Sequence, residues 1–181
     1  MKELSLHILD IVQNSIQAKA SHIEIFIEED LSINRLRISI KDDGIGMDQD
    51  TLQKVIDPFF TSRTTRKVGL GIPFFKEAAE SCGGFFVIKS ELNQGTYIEA
   101  VFQHNHIDRV PIGKIHDTIM VILHSDQQFD LTYRHRYNQK EFKLDTIEIK
   151  SILETEDLRS PDILIWIKEY IHENINELKE S

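Results

Sequence analysis

Lys41-Asp42-Asp43-Gly44-Ile45-Gly46-Met47 constrains this chain more than any other stretch. It follows Arg35-Leu36-Arg37-Ile38-Ser39-Ile40-Lys41, whose alternation predicts a strand. A strand that runs into a carboxylate and then two glycines one residue apart ends in a tight loop, because glycine permits backbone conformations and close approaches that a Cβ forbids. Asp-Gly is also a common plain turn, so the loop gains meaning only from what surrounds it.

The surroundings are ordered. Residues 3–19 predict a helix, with Leu4, Ile8, Ile11, Val12 and Ile16 on one side and His7, Asp10, Asn14 and Gln17 on another. Residues 22–28 alternate as a strand. After the glycine loop, 49–56 fits a short helix with Asp48 or Asp50 as N-cap and Pro58 just past its end. Residues 61–68 are polar and basic without periodicity. Gly69-Leu70-Gly71 then opens a helix through Cys82, closed by Gly83-Gly84. Strands fit 85–91 and 96–103, joined by Asn93-Gln94-Gly95.

Beyond residue 104 the pattern changes. Residues 105–117, with Pro111 and Gly113, read as a linker. Strand-like segments fit 118–124, 129–136 and 141–147, and Ser160-Pro161-Asp162 starts an amphipathic helix running to about residue 179. The expected division is a first domain over 1–104, a linker over 105–117, and a small α+β regulatory or docking region over 118–181.

Composition removes other classes. The formal net charge of −9 opposes non-specific nucleic-acid binding. No apolar run approaches the ~20 residues of a membrane span, and no basic start leads into an apolar core as in a secretory signal. The single cysteine, Cys82, forms neither an intramolecular disulfide nor a zinc site. A cytoplasmic address is expected. His104 and His106 have no matching ligand set and are expected to face solvent.

Four features, in order, carry the chemistry: the stripe around Asn14, Asp42-Asp43-Gly44-Ile45-Gly46-Met47, Asp57-Pro58-Phe59-Phe60-Thr61-Ser62-Arg63, and Gly69-Leu70-Gly71-Ile72 with Gly95-Thr96 further on. In this order and spacing, residues 4–103 resemble the GHKL superfamily of gyrase B, heat-shock 90 chaperones, histidine kinases and mismatch-repair ATPases. The Pro-Phe-Phe-Thr-Ser-Arg phrase followed by Gly-Leu-Gly-Ile is most similar to the histidine-kinase branch. The resemblance implies an α/β fold, the two-layer α+β sandwich of the Bergerat ATP-binding type, here with a small α+β C-terminal extension.

The same resemblance implies ATP and Mg2+ as cofactors. Asn14 matches the asparagine that coordinates the ion, a hard-oxygen ligand of the kind magnesium selects. Asp10 stands where ATP-hydrolysing branches hold a glutamate general base; it is one methylene shorter, and a plain helix carboxylate is the alternative. Asp42 matches the aspartate that accepts from the adenine amino group, Gly44 and Gly46 the glycines beside the base, and Thr96 the threonine that supports the adenine pocket. Residues 61–68 match the ATP lid, where Arg63 and Lys67 are candidates for the outer phosphates. Gly69, Leu70 and Gly71 open the following helix, whose backbone N–H groups favour phosphate. Lys67 replaces a glycine usual in kinase relatives two residues before Gly69. Phe59 and Phe60 are expected to anchor the lid on the core.

The helix carrying Asn14 begins almost at residue 1, leaving no room in this sequence for the upstream dimerisation helices and phospho-acceptor histidine of a histidine kinase, nor for strands that usually precede that helix. The expected function is therefore that of a stand-alone histidine-kinase-like catalytic module: an ATP-dependent protein kinase or ATPase that phosphorylates or regulates a separate protein partner, with a homodimer possible. The alternatives are an ATPase with nucleotide-driven dimerisation and a nucleotide-gated binding module without phosphotransfer. A sheet edge exposed by the missing strands is expected to need cover from the tail or from another subunit.

Overall fold

The computed structural model describes residues 2–59 and 70–180. Its elements are helix α1 (Leu4–Gln17), strand β1 (His22–Asp30), a single 3-10 turn (Leu31–Ile33), β2 (Arg35–Asp42), α2 (Gln49–Val55), α3 (Gly71–Ser81), β3 (Phe85–Glu91), β4 (Gly95–Gln103), α4 (Ile115–Leu123), β5 (Asp130–Tyr137), β6 (Lys140–Asp145), α5 (Thr146–Leu153) and α6 (Pro161–Lys179). The strands form one mixed sheet in the order β3-β4-β2-β1-β5-β6.

Alternation, strict in β1 and looser in β2 and β4, generates the two faces. Ile23, Ile25 and Ile27 of β1, Leu36, Ile38 and Ile40 of β2, and Ile98, Ala100 and Phe102 of β4 are buried, and helices cover them. The opposite face is lined by charge: Arg37 bonds Glu28 and meets Glu99 at 2.9 Å, and the Arg134 guanidinium lies 3.9 Å from the Phe26 ring centroid. Such a face stays in water without a covering layer.

The edge of β1 is covered from within the chain. β5 pairs with it in parallel from His22↔Asp130 to Glu29↔Tyr137. Leu131 and Tyr133 of β5, with Ile167 and Ile171 of α6, are fully buried in the same core. The segment leading to α4 also caps α1: Leu4 N–H donates to Pro111 O and Ser5 N–H to Ile112 O, both at 2.8 Å, so two of the free N–H groups at that helix start find partners.

Four expectations are corrected. Residues 118–124 form no strand; 115–123 is α4, burying Ile115, Thr118, Ile119 and Ile122 at helical spacing. The strand expected over 141–147 stops at Asp145, whose side chain accepts from Ile147 N–H and starts α5. Phe59 is 83% exposed and does not pack on the core, while Phe60 lies outside the described residues. His104 is not a solvent histidine: its Nε2 lies 3.0 Å from Glu29 Oε1.

Glu29 sits buried at the far end of β1, with His135 Nε2 at 2.7 Å from its other oxygen and Lys179 Nζ at 3.8 Å. Burial alone pushes this carboxyl up, but the hydrogen bonds from His135 and His104 outweigh it and hold it at about 2, against an ordinary 4.5. A depressed carboxyl stabilises the fold above its unfolded value and loses that contribution as pH falls through its folded one. The chain is therefore expected to lose stability, of order 3 kcal/mol from this group, between about pH 4.5 and pH 2. Urea melts across that window test it. Glu29→Gln should be less stable at neutral pH and show a flatter acid limb; an unchanged acid limb would assign the loss to other groups.

Candidate nucleotide site

The candidate site lies where the glycine loop leaves β2, between α1, the start of α3 and the β3–β4 hairpin. Asp42 is the last residue of β2 and is 8% exposed. Its two oxygens are held separately: the Ser15 hydroxyl donates to Oδ2 at 2.6 Å, and Gly44 N–H donates to Oδ1 at 2.9 Å. Each carboxylate oxygen has further lone pairs, so the group is fixed in direction and still able to accept.

The sheet register brings Thr96 beside it. Asp42 pairs with Thr96 across β2–β4, and Thr96 with Ser90 across β3–β4. Ser90 Oγ donates to Gly95 O at 3.0 Å and accepts from Met47 N–H at 2.8 Å. Having one proton, it must accept in its 2.8 Å contact with Thr96, so the Thr96 hydroxyl donates there and keeps lone pairs for another donor. Neither Ser15 nor Ser90 is marked as a site residue by sequence pattern. Each acts through a partner brought near only by folding.

The glycines answer first to the protein's own backbone. Gly46 has φ of +68°, and a Cβ there would lie 2.0 Å from Glu91 O. The loop is pinned on both sides, by Ile45 N–H to Ala18 O at 2.9 Å and Asn93 N–H to Ile45 O at 2.7 Å. At the other end of the site, a Cβ on Gly71 would come 3.0 Å from Asp10 Cβ, so the glycine lets the first turn of α3 press against α1.

That contact places α1's polar stripe opposite the start of α3. Leu70 is the residue before that helix, and its side chain makes no cap to the first-turn N–H groups. Asp10 is half-buried, which pushes its carboxyl pKa up. Asn14 carries a buried Nδ2 with no hydrogen-bond partner among the described residues. His7, on the same stripe, is buried and stacked on Phe75 at 5.5 Å, and burial lowers its pKa to about 4. It is therefore a neutral core ring. Arg63, Lys67 and Gly69 lie outside the described residues, as does the whole 61–68 stretch. Among the described residues no group of His, Cys, Asp and Glu has the arrangement of a metal cluster.

Residues 2–106 match the family described as histidine kinase-, DNA gyrase B- and HSP90-like ATPase, and the chain belongs to that family. Membership implies ATP binding. Among known proteins, a putative sensor protein of Shewanella frigidimarina is 32% identical over 103 residues, 56% of this chain and 16% of that protein. Sporulation kinase E of Bacillus subtilis is 33% identical over 89 residues, 49% of this chain and 12% of the kinase. The match thus spans under a fifth of either relative's length. Among solved structures, the N-terminal domain of a DNA repair protein superposes with a TM-score of 0.52 at 17% identity, covering 80% of this chain and 53% of that one, which shows a shared fold. Among the described residues no helix is long and apolar enough to cross a membrane.

Proposed function

We propose that this chain is a histidine-kinase-like catalytic module of the cytoplasm that binds ATP with Mg2+ and phosphorylates or regulates a separate protein. The observation that carries this reading is the buried Asp42 carboxylate, held by Gly44 and by Ser15 of α1 and paired across the sheet with Thr96, beside the helix whose polar stripe bears Asn14 and whose Asp10 meets Gly71 at the start of α3. Asp42 and Thr96 would hold the adenine, with Gly44 and Gly46 shaping the loop beside it. Asn14 would meet the magnesium ion through Oδ1, while its buried Nδ2, a donor without a hydrogen-bond partner among the described residues, suits an acceptor on the ligand such as a phosphate oxygen. Leu70 and Gly71, with Gly69, Arg63 and Lys67, would hold the phosphates. Residues 105–181 would serve as a regulatory or docking region as well as completing the sheet.

Bound ATP supplies an activated phosphoryl group. What the chain supplies is placement and, at Asp10, a carboxylate whose raised pKa moves it toward the range useful to a base. Asp10 supports the alternative of hydrolysis in place of transfer.

The test is incubation with γ-labelled ATP, alone and with candidate partner proteins, alongside calorimetry with and without magnesium. Label on a partner supports transfer; release of phosphate by the chain alone supports hydrolysis; neither, with tight binding, supports a nucleotide-gated module. In the same experiment Asn14→Ala is expected to fold normally and to lose the magnesium-dependent tightening of nucleotide. A variant that unfolds, or keeps its full magnesium dependence, would make Asn14 a structural residue.

A further inference from the structure

The sheet ends on β6, and among the described residues β6 pairs only with β5. The two strands are joined by a two-residue turn, with Tyr137 opposite Lys140. Main-chain bonding in an antiparallel hairpin alternates from its closing pair. Phe142 and Leu144 therefore direct their N–H and C=O groups to β5, and Glu141 and Lys143 direct theirs to the outer edge.

Side chains alternate too. Phe142 and Leu144 are buried on the helix side, while Glu141 and Lys143 stand on the open face. Glu141 meets Arg134 at 3.0 Å, but Lys143 has no ion-pair partner among the described residues. Beside this edge, α6 presents a stacked aromatic pair: Trp166 and Tyr170, 5.1 Å apart and 48% and 39% exposed, with Tyr170 lying over Phe142 at 5.5 Å.

Glu141 and Lys143 oppose one another in one register; the other attractive one, centred on Leu144, sets Lys143 against Asp145 but carries Glu141 past the end of the strand to face α5. A twofold axis perpendicular to the sheet keeps both helix layers on the same side, so residues opposite one another must share a face. Centred on Phe142, the axis sets Glu141 of each copy against Lys143 of the other, and both residues have their main-chain groups pointing across the junction. Centred on Glu141 it opposes that carboxylate to itself. Centred on Lys143 it opposes Lys143 to itself and Glu141 to Asp145. Like charges directly opposite destabilise a strand pair.

We propose that β6 is a self-association edge: two copies of this chain join antiparallel through Glu141–Lys143, centred on Phe142, into one continuous sheet whose α6 aromatic pairs flank the junction. The sheet order puts β6 three strands from β2 and Asp42, so both nucleotide sites stay open on the helix side.

Sedimentation velocity of the full chain over a range of concentrations tests this. A reversible dimer is expected. Lys143→Glu turns two attractive cross-strand pairs into repulsive ones and should raise the dissociation constant about tenfold or more. Glu141→Lys should do the same, and the double variant Glu141→Lys/Lys143→Glu should restore association. Melting curves follow folding, because Glu141 also meets Arg134 within the chain; Lys143→Glu disturbs no such partner and stands as a test by itself. A chain that stays monomeric at every concentration overturns the proposal. So does a dimer indifferent to Lys143→Glu, or a folded double variant that fails to reassociate.

Discussion

Truncation after residue 104 is expected to abolish the cooperative fold and, with it, nucleotide binding. The shortened chain keeps every proposed nucleotide residue but loses β5, β6, α4, α5 and α6. The β1 edge, paired with β5 over His22–Glu29, would be bared, and an unpaired apolar edge invites aggregation. The core would lose Ile119, Leu131, Tyr133, Ile167 and Ile171, all 0% exposed. Burial of a large apolar side chain contributes roughly 1.5–3 kcal/mol, so these five alone rival the ~5–15 kcal/mol by which a typical domain is stable. Circular dichroism melts and size-exclusion chromatography of the 1–104 fragment check it. A soluble monomer with a sharp transition and full ATP affinity would show that residues 105–181 do not complete the core.

The first two strands were legible from their period of two, and the next two from short β-branched and aromatic runs bounded by glycine turns. The expectation of 85–91 coincides with β3, and those for β1, β2 and β4 differ only at the ends. The ends of α1, α2 and α6 were legible from apolar periodicity and caps: Asp48 accepts from Thr51 N–H and Ser160 from Ile163 N–H. The tail misled for a physical reason. Ile119-Met120-Val121-Ile122-Leu123 is a short, continuous apolar run rich in β-branched residues, which periodicity alone does not assign. Its packing against α1 and α6 decides for helix. Thr146-Ile147-Glu148-Ile149 alternates as a strand would, yet Ile147 is 55% exposed and Ile149 buried on one helical face.

Within the candidate site, Asp42 and the glycines stood out in the sequence because unusual residue types sit at element ends, and Asn14 because an amide sits within a helix. Ser15 and Ser90 did not. Their significance rests on pairings 27 residues apart in one case and on sheet register in the other. The role of Glu29 was hidden likewise, since His104 and His135 reach it from distant parts of the chain.

Replacing Asp42 with Asn is expected to weaken ATP binding by about tenfold or more while leaving the protein folded. The fold tolerates the change because the hydrogen-bond partners of Asp42 can be kept. The Asn Oδ1 still accepts from Gly44 N–H, and its new amide N–H can donate to Ser15 Oγ, whose hydroxyl hydrogen then turns away. The ligand has no such freedom. An adenine amino group is a donor, and at the Oδ2 position the side chain now presents a second donor where the carboxylate offered an acceptor. The charge-assisted bond lost is worth roughly 1.5–3 kcal/mol, and each 1.4 kcal/mol is a factor of ten in affinity. Calorimetric titration with ATP, set beside a thermal melt, separates the two effects. Full affinity in a folded Asp42→Asn protein would remove this carboxylate from the nucleotide site. A selective loss for ATP over a nucleotide lacking the exocyclic amino group would place the contact at that group, since the latter never offered Asp42 a donor there.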